Sequence, residues 1–229
     1  MDYWNEWSEK EALWLLGYIK ATVGYVLQLL SCGDLWEDMF VTVLSDANFR
    51  LPRSTTGGII SIEGDLGSLL PTWWVSRVQT APATCSGDSE TISWGTNAKA
   101  AMRVAAMMEY TTVRGRVPII GYVDNESLRI GIRRGYSPRM SGHLKGVAGA
   151  NFQLLQSTQV LPKHVAGVDN SSDALTKTLP RGTMLWLMRR YFGLHVPGVP
   201  KAAVKTEYAS LRRIYISRRG SVAAIGGGA

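Results

Sequence analysis

The strongest constraint on how this chain folds is a change of pattern near residue 88. Before it, Met39 to Leu44, Gly57 to Ile62 and Thr72 to Val78 are short apolar runs. Glycine-containing turns, with Gly64 and Gly67 between the second and third, predict an antiparallel meander. After it, helical and strand patterns alternate. Asp88 to Tyr110 is Ala- and Met-rich without proline and predicts a helix. Val117 to Val123 predicts a strand, Glu126 to Arg133 and Ser141 to Ser157 helices, and Gln159 to Val165 a further strand. Helices follow at Ser171 to Thr178 and, beyond Pro180, at Thr183 to Tyr191. A meander followed by alternation predicts an α/β fold: a mixed five-stranded sheet, its first three strands antiparallel, flanked by helices.

Bulk properties narrow the chemistry. The 229 residues are 45% hydrophobic, enough for one sizeable core, or one core plus a small appendage. Lys and Arg number 25 against 18 Asp and Glu, a net charge of +7, which suits a polyanion such as nucleic acid or an anionic membrane surface. Cys32 and Cys85 stand far apart, so no disulfide framework or zinc site is expected, and an intracellular setting, cytoplasmic particle or nucleus, is the default. The three histidines are unclustered, so a bound metal would be a hard cation held by carboxylates.

No signal peptide is expected at the N-terminus. Ala12 to Leu30 is long and largely apolar, and a membrane span is one reading of it. Lys20 at its centre costs about 2.5–3.5 kcal/mol on insertion scales. The preferred reading makes Leu13, Leu16, Lys20, Val23 and Leu27 turns of a buried amphipathic helix, with no membrane partner.

Four acids fall at informative places. Asp46 and Asp124 each end an apolar strand, Glu90 lies in the first turn of the central helix, and Asp173 opens a late helix. Singly, each has a local explanation: turn capping at a strand end, or a favourable charge at a helix start. Together they could converge on one edge of a sheet. Phosphodiester hydrolysis needs charge neutralised on an anionic phosphate, and two Mg²⁺ ions held by carboxylates do this. No Ser/His/Asp or Cys/His arrangement is visible.

A run of motifs agrees. Ser45-Asp46-Ala47-Asn48-Phe49 resembles the SDADW that begins the RNase H region of copia-type retrotransposon polyproteins. Arg53-Ser54-Thr55-Thr56-Gly57 is similar to their KSTSG, and Trp74 to Thr80 resembles their WxSKKQ segment. Ser86-Gly87-Asp88-Ser89-Glu90 stands at their SSTEAE, with Glu90 on the second Glu. Tyr122 to Ser127 resembles YCDNQS, and His164 through Pro180 their HVPxxxxxADxLTKxLP ending. Order and spacing agree over residues 38 to 193. Tyr18 to Thr22 and Tyr25 to Leu27 look like the YLKGTxxYGL that closes the preceding reverse transcriptase.

This resemblance implies an RNase H-like domain at 38–193 and a helical segment at 1–37 resembling the end of a reverse transcriptase, while the excess of Lys and Arg marks 194–229 as a basic tail. It implies an endonuclease that cuts the RNA strand of RNA–DNA hybrids, working beside the reverse transcriptase portion of a polyprotein. Asp46, Glu90, Asp124 and Asp173 would be catalytic and hold two Mg²⁺ or Mn²⁺ ions. Arg53, Ser54, Thr55, Arg77, Asn125 and Arg139 are candidates for contact with nucleic acid. Asp88-Ser89-Glu90 departs from Glu-Ala-Glu, and Thr91 to Gly95 are poor helix formers. If the helix begins near Asp88, Glu90 points at the strand ends; if it begins at Thr96, Glu90 lies in a loop. The alternative reading is a catalytically silent domain of the same fold, serving as a nucleic-acid-binding or structural module.

Overall fold

The computed structural model describes residues 5–27, 29–112, 115–136, 141–158, 160–192 and 194–195. Helix α1 (Glu6–Thr22) and strand β1 (Val26–Leu27) come first. Strands β2 (Phe40–Asn48), β3 (Thr55–Glu63) and β4 (Leu69–Val78) follow, then helix α2 (Ser86–Thr112) and strand β5 (Ile119–Val123). Helices α3 (Glu126–Arg134) and α4 (Lys145–Thr158) lead to strand β6 (Val160–His164). Helices α5 (Asp173–Thr176) and α6 (Arg181–Phe192) and strand β7 (Leu194–His195) complete the order. Two compact units result. One spans residues 29–193; in the other, α1 and β1 precede β7, which pairs antiparallel with β1.

In the larger unit, the sheet has the order β4-β3-β2-β5-β6. The β2–β3 and β3–β4 pairs are antiparallel, while β2–β5 and β5–β6 are parallel. This is the mixed five-stranded sheet that the pattern change predicts. Central β2 is buried along nearly its whole length, as a strand covered on both faces must be. Val41, Val43, Ile60, Ile62, Ile119 and Val123 meet Trp94, Ala98, Ala101, Ala105 and Met108 of α2 in the core.

Helix α2 begins at Ser86, ahead of Asp88, although Thr91, Ser93 and Gly95 are poor helix formers. Tertiary contacts explain Ser93 and Gly95. The Ser93 hydroxyl donates to the Asp46 carbonyl at 2.6 Å, whereas the Thr91 hydroxyl bonds back to the Gly87 carbonyl of its own helix at 2.7 Å. A side chain on Gly95 would come within 2.6 Å of Asn151 Oδ1. On β5, a Cβ at Gly121 would fall inside the Trp94 ring, so glycine there admits the indole against the sheet.

Two expectations change. Helix α5 has four residues rather than the predicted stretch from 171 to 178. Helix α1 stops at Thr22, so Val23 is only its cap and Leu27 lies on strand β1, and none of its residues is buried; Leu13 and Leu16 are 61% and 62% exposed, against the buried amphipathic helix expected through Leu27. Its apolar residues cluster at 13–16 and 18–19 rather than along one stripe, so periodicity alone misjudged it. Among the described residues, no helix is long and apolar enough to cross a membrane. The basic tail from 196 onward lies outside the described residues.

Candidate metal centre

The site grows from strand register. Leu44 of β2 aligns with Tyr122 of the adjacent parallel strand β5. Asp46 and Asp124 each lie two residues further along, so both carboxylates arrive at the same height on the carboxyl edge of the sheet. Alternation then separates neighbours. Ser45 turns toward α2, where Asn97 Nδ2 donates to its hydroxyl at 2.9 Å, and Asp46 turns to the opposite face.

That opposite face receives α5. Asp46 pairs with Gly57 across the β2–β3 ladder. A Cβ on Gly57 would collide with Thr176 Cγ2 and lie 3.0 Å from the Ser172 carbonyl oxygen. The bare glycine therefore lets α5 rest on the sheet. A four-residue helix cannot persist alone, and two side chains tether its last carbonyls. Asn48 Nδ2 donates to Thr176 O at 2.9 Å, and Ser76 Oγ donates to Leu175 O at 2.5 Å. Asp173, at the start of α5, is thereby delivered to Asp46.

Asp46, Asp124 and Asp173 each present one carboxylate oxygen, and these oxygens lie within 4.8 Å of one another. Asp46 is buried and the other two are half-buried. The Thr176 hydroxyl donates to Asp46 Oδ2. Lys177 Nζ lies 2.8 Å from Asp173 Oδ1 and 3.6 Å from Asp46 Oδ2. The Asp124 carboxylate has no hydrogen-bond or ion-pair partner among the described residues. Three converging anionic oxygens, one set without a partner, fit a hard divalent cation and no softer one.

Glu90 approaches from α2, within that helix as the first of the two sequence alternatives requires. It is not one of the three clustered oxygens. Asn125 Nδ2 donates to Glu90 Oε2 at 2.6 Å, while Asn125 Oδ1 accepts from Leu128 N and caps α3. Burial pushes the Glu90 pKa up to about 7; the Asn125 bond opposes this, and the charges of Asp124 and Asp46 add to it. Burial also raises the Asp173 pKa, against the Lys177 hydrogen bond and with help from Asp46. For Lys177, burial disfavours the charged form, yet its bond to Asp173 and the charges of Asp46 and Asp124 outweigh it and hold the pKa above the usual lysine value.

The six nucleic-acid candidates divide. Arg53 and Arg77 are exposed, and Thr55 is half-buried. Ser54 is 1% exposed, its hydroxyl accepting from the Arg50 amide, so it faces inward. Asn125 has both ends of its amide engaged inside the protein. Arg139 lies outside the described residues. His164 ends β6 with Nε2 at 3.0 Å from the Asp124 carbonyl oxygen, so the ring sits at this edge. Asp88, at the departure from the motif, is buried; its carboxylate accepts from Thr84 and Ser141 and pins both loops to the start of α2.

Sequence reasoning gave Thr176 and Lys177 no role, although both stand in the motif after Asp173. The available signal was the four-residue spacing between Asp173 and Lys177, which suits an ion pair.

No protein-family model matches this sequence, and no curated protein matches it. Solved structures similar to it include RNase H1 from Halobacterium salinarum, 14% identical with a TM-score of 0.44 over 59% of this chain and 92% of that one. The N-terminal RNase H domain of a Mycobacterium tuberculosis protein is 12% identical, TM-score 0.44, over 66% of this chain and 97% of that one. The protease–reverse transcriptase of prototype foamy virus is 9% identical, TM-score 0.41, over 60% of this chain and 19% of that one.

Proposed function

We propose that this domain is a metal-dependent endonuclease that hydrolyses the RNA strand of RNA–DNA hybrids. The observation that carries the reading is the convergence of Asp46, Asp124 and Asp173 within 4.8 Å at the open edge of a sheet. Mg²⁺ or Mn²⁺, two ions in the full reading, would be held by these three, with Glu90 completing the set. When bound, such ions supply Lewis-acid activation of water and neutralise charge on the phosphate and the departing 3′ oxygen.

The chain's own residues do the positioning. Ser93 and Asn97 fix the end of β2 beneath Asp46, and Gly57 and Asn48 seat the helix that carries Asp173. Asn125 orients Glu90, whose pKa of about 7 lets it change protonation near neutral pH. Exposed Arg53 and Arg77 serve as phosphate contacts that position the strand without reading its sequence. The choice of RNA over DNA rests on a 2′-hydroxyl contact. The motif order at residues 38–193 supports a retrotransposon polyprotein origin, with residues 1–37 as the end of a reverse transcriptase that works on the same substrate.

A second reading is a silent scaffold of the same fold. The Lys177 ammonium favours it, because an internal cation can satisfy these acids without metal. Cleavage assays separate the two. The parent should cut a labelled hybrid with Mg²⁺ or Mn²⁺ and stop when chelator is added. Asp124→Asn should lose at least about a hundredfold in rate while circular dichroism stays unchanged. Parent-level cutting by Asp124→Asn would sink the nuclease reading, and a parent that never cuts leaves the scaffold.

A further inference from the structure

Lys177 stands where a cation is wanted. Its backbone amide donates to the Asp173 carbonyl at 2.9 Å, closing the short α5, and its side chain folds back so that Nζ is 2.8 Å from Asp173 Oδ1. The same ammonium lies 3.6 Å from Asp46 Oδ2, the oxygen that also accepts from Thr176. Three carboxylates this close repel one another unless a positive charge sits among them. Among the described ion pairs, Lys177 is the cation placed against the cluster.

The geometry also makes the arrangement reversible. The Lys177 side chain is 41% exposed, so its head can leave for solvent without opening the core. A divalent ion binding Asp173 and Asp46 needs the oxygens that Lys177 now holds, and it brings twice the charge. Arginine at this position would present a planar fork, which carries the charge but does not fit the same point contact.

We infer that Lys177 is the resident counter-ion of the carboxylate cluster, which a divalent metal ion must displace from Asp173 and Asp46 in order to bind. The inference rests on the metal-dependent reading above. It makes Lys177 a positioning residue that holds the acids together before metal arrives and that weakens metal binding by competing for the same oxygens.

Mn²⁺ titration of metal-free protein, followed by calorimetry or by electron paramagnetic resonance of free Mn²⁺, tests this without any assay of cleavage. Lys177→Met should bind Mn²⁺ about tenfold more tightly than the parent, and in chelator it should melt at a lower temperature. Lys177→Arg, which keeps the charge, should bind nearer to the parent than to Lys177→Met. Lys99→Met removes an exposed lysine of α2 about 13 Å further along the helix from Glu90, and should leave Mn²⁺ affinity within twofold. Equal or weaker Mn²⁺ binding by Lys177→Met would overturn the inference while leaving the metal site standing. An equal gain in Lys99→Met would overturn it too, by reducing the effect to net charge. A parent that binds no Mn²⁺ would remove both the inference and the reading beneath it.

Discussion

Asp46 and Asp124 stand at one height on neighbouring parallel strands, each two residues past the aligned pair Leu44 and Tyr122. Adjacent strands run about 4.8 Å apart, so register alone brings two acids within reach of one ion. The helix that supplies Asp173 owes its place to a third element, the glycine opposite Asp46.

Gly57→Ala should show this. The added methyl would strike Thr176 Cγ2 and press the Ser172 carbonyl, forcing α5 off the sheet. A loss of about 1–3 kcal/mol is expected in urea denaturation, the usual cost of overpacking. Because α5 carries Asp173, Mn²⁺ affinity should fall by more than tenfold. An unchanged affinity in a destabilised protein would show that Asp173 is not held by this contact.

Asn125 has two separable jobs. Asn125→Ala should cost about 1 kcal/mol through the lost cap on α3. It should also move the Glu90 pKa upward, since the Asn125 bond lowers it. Asn125→Asp keeps an acceptor for the cap but has no amide to donate to Glu90. It should preserve helix stability while shifting the pH midpoint of metal binding upward. Thermal melts distinguish the variants, and titration of Mn²⁺ affinity against pH tests the link to Glu90; a midpoint identical to that of the parent in both would separate Asn125 from Glu90.

The raised Glu90 pKa fixes the sign of a pH effect. The folded state holds the Glu90 proton up to about pH 7, whereas the unfolded chain releases it near 4.5. Between those values the native state binds more protons, so rising pH lowers stability through this group. Asp173 acts in the same direction. Thermal melts of metal-free protein should therefore decline from about pH 4.5 to 7, and Glu90→Gln should flatten the slope. Metal requires the ionised acids, so Mn²⁺ affinity should rise through the same window. A melting temperature that climbs with pH, with parent and Glu90→Gln superimposed, would contradict the assignment.

Much of the fold and part of the site were open to inspection in the sequence, because their causes are local. Apolar runs of strand length, glycine turns and an alanine-rich stretch specify the five strands and α2 through patterns a few residues long. Asp46 and Asp124 were legible for the same reason: a polar residue that ends an apolar strand comes out at a sheet edge. What depends on distant partners was not. Asn125 read as a candidate for contact with nucleic acid, and only the packed structure turns its amide to Glu90, 35 positions away.

The sequence by itself thus determined the strand order along residues 38–193, the mixed sheet and the residue types available for chemistry, since periodicity and turn propensity act along the chain. Tertiary structure alone decided that α1 leaves its apolar residues exposed, that α5 shrinks to four residues tethered by Asn48 and Ser76, and that Lys177 also reaches Asp46. The seating of α5 and the reach of Lys177 to Asp46 hang on contacts between residues far apart in the chain, such as Asn48 with Thr176, 128 positions away. Their energies are set by burial and charge in the assembled core, which no local window of residues contains.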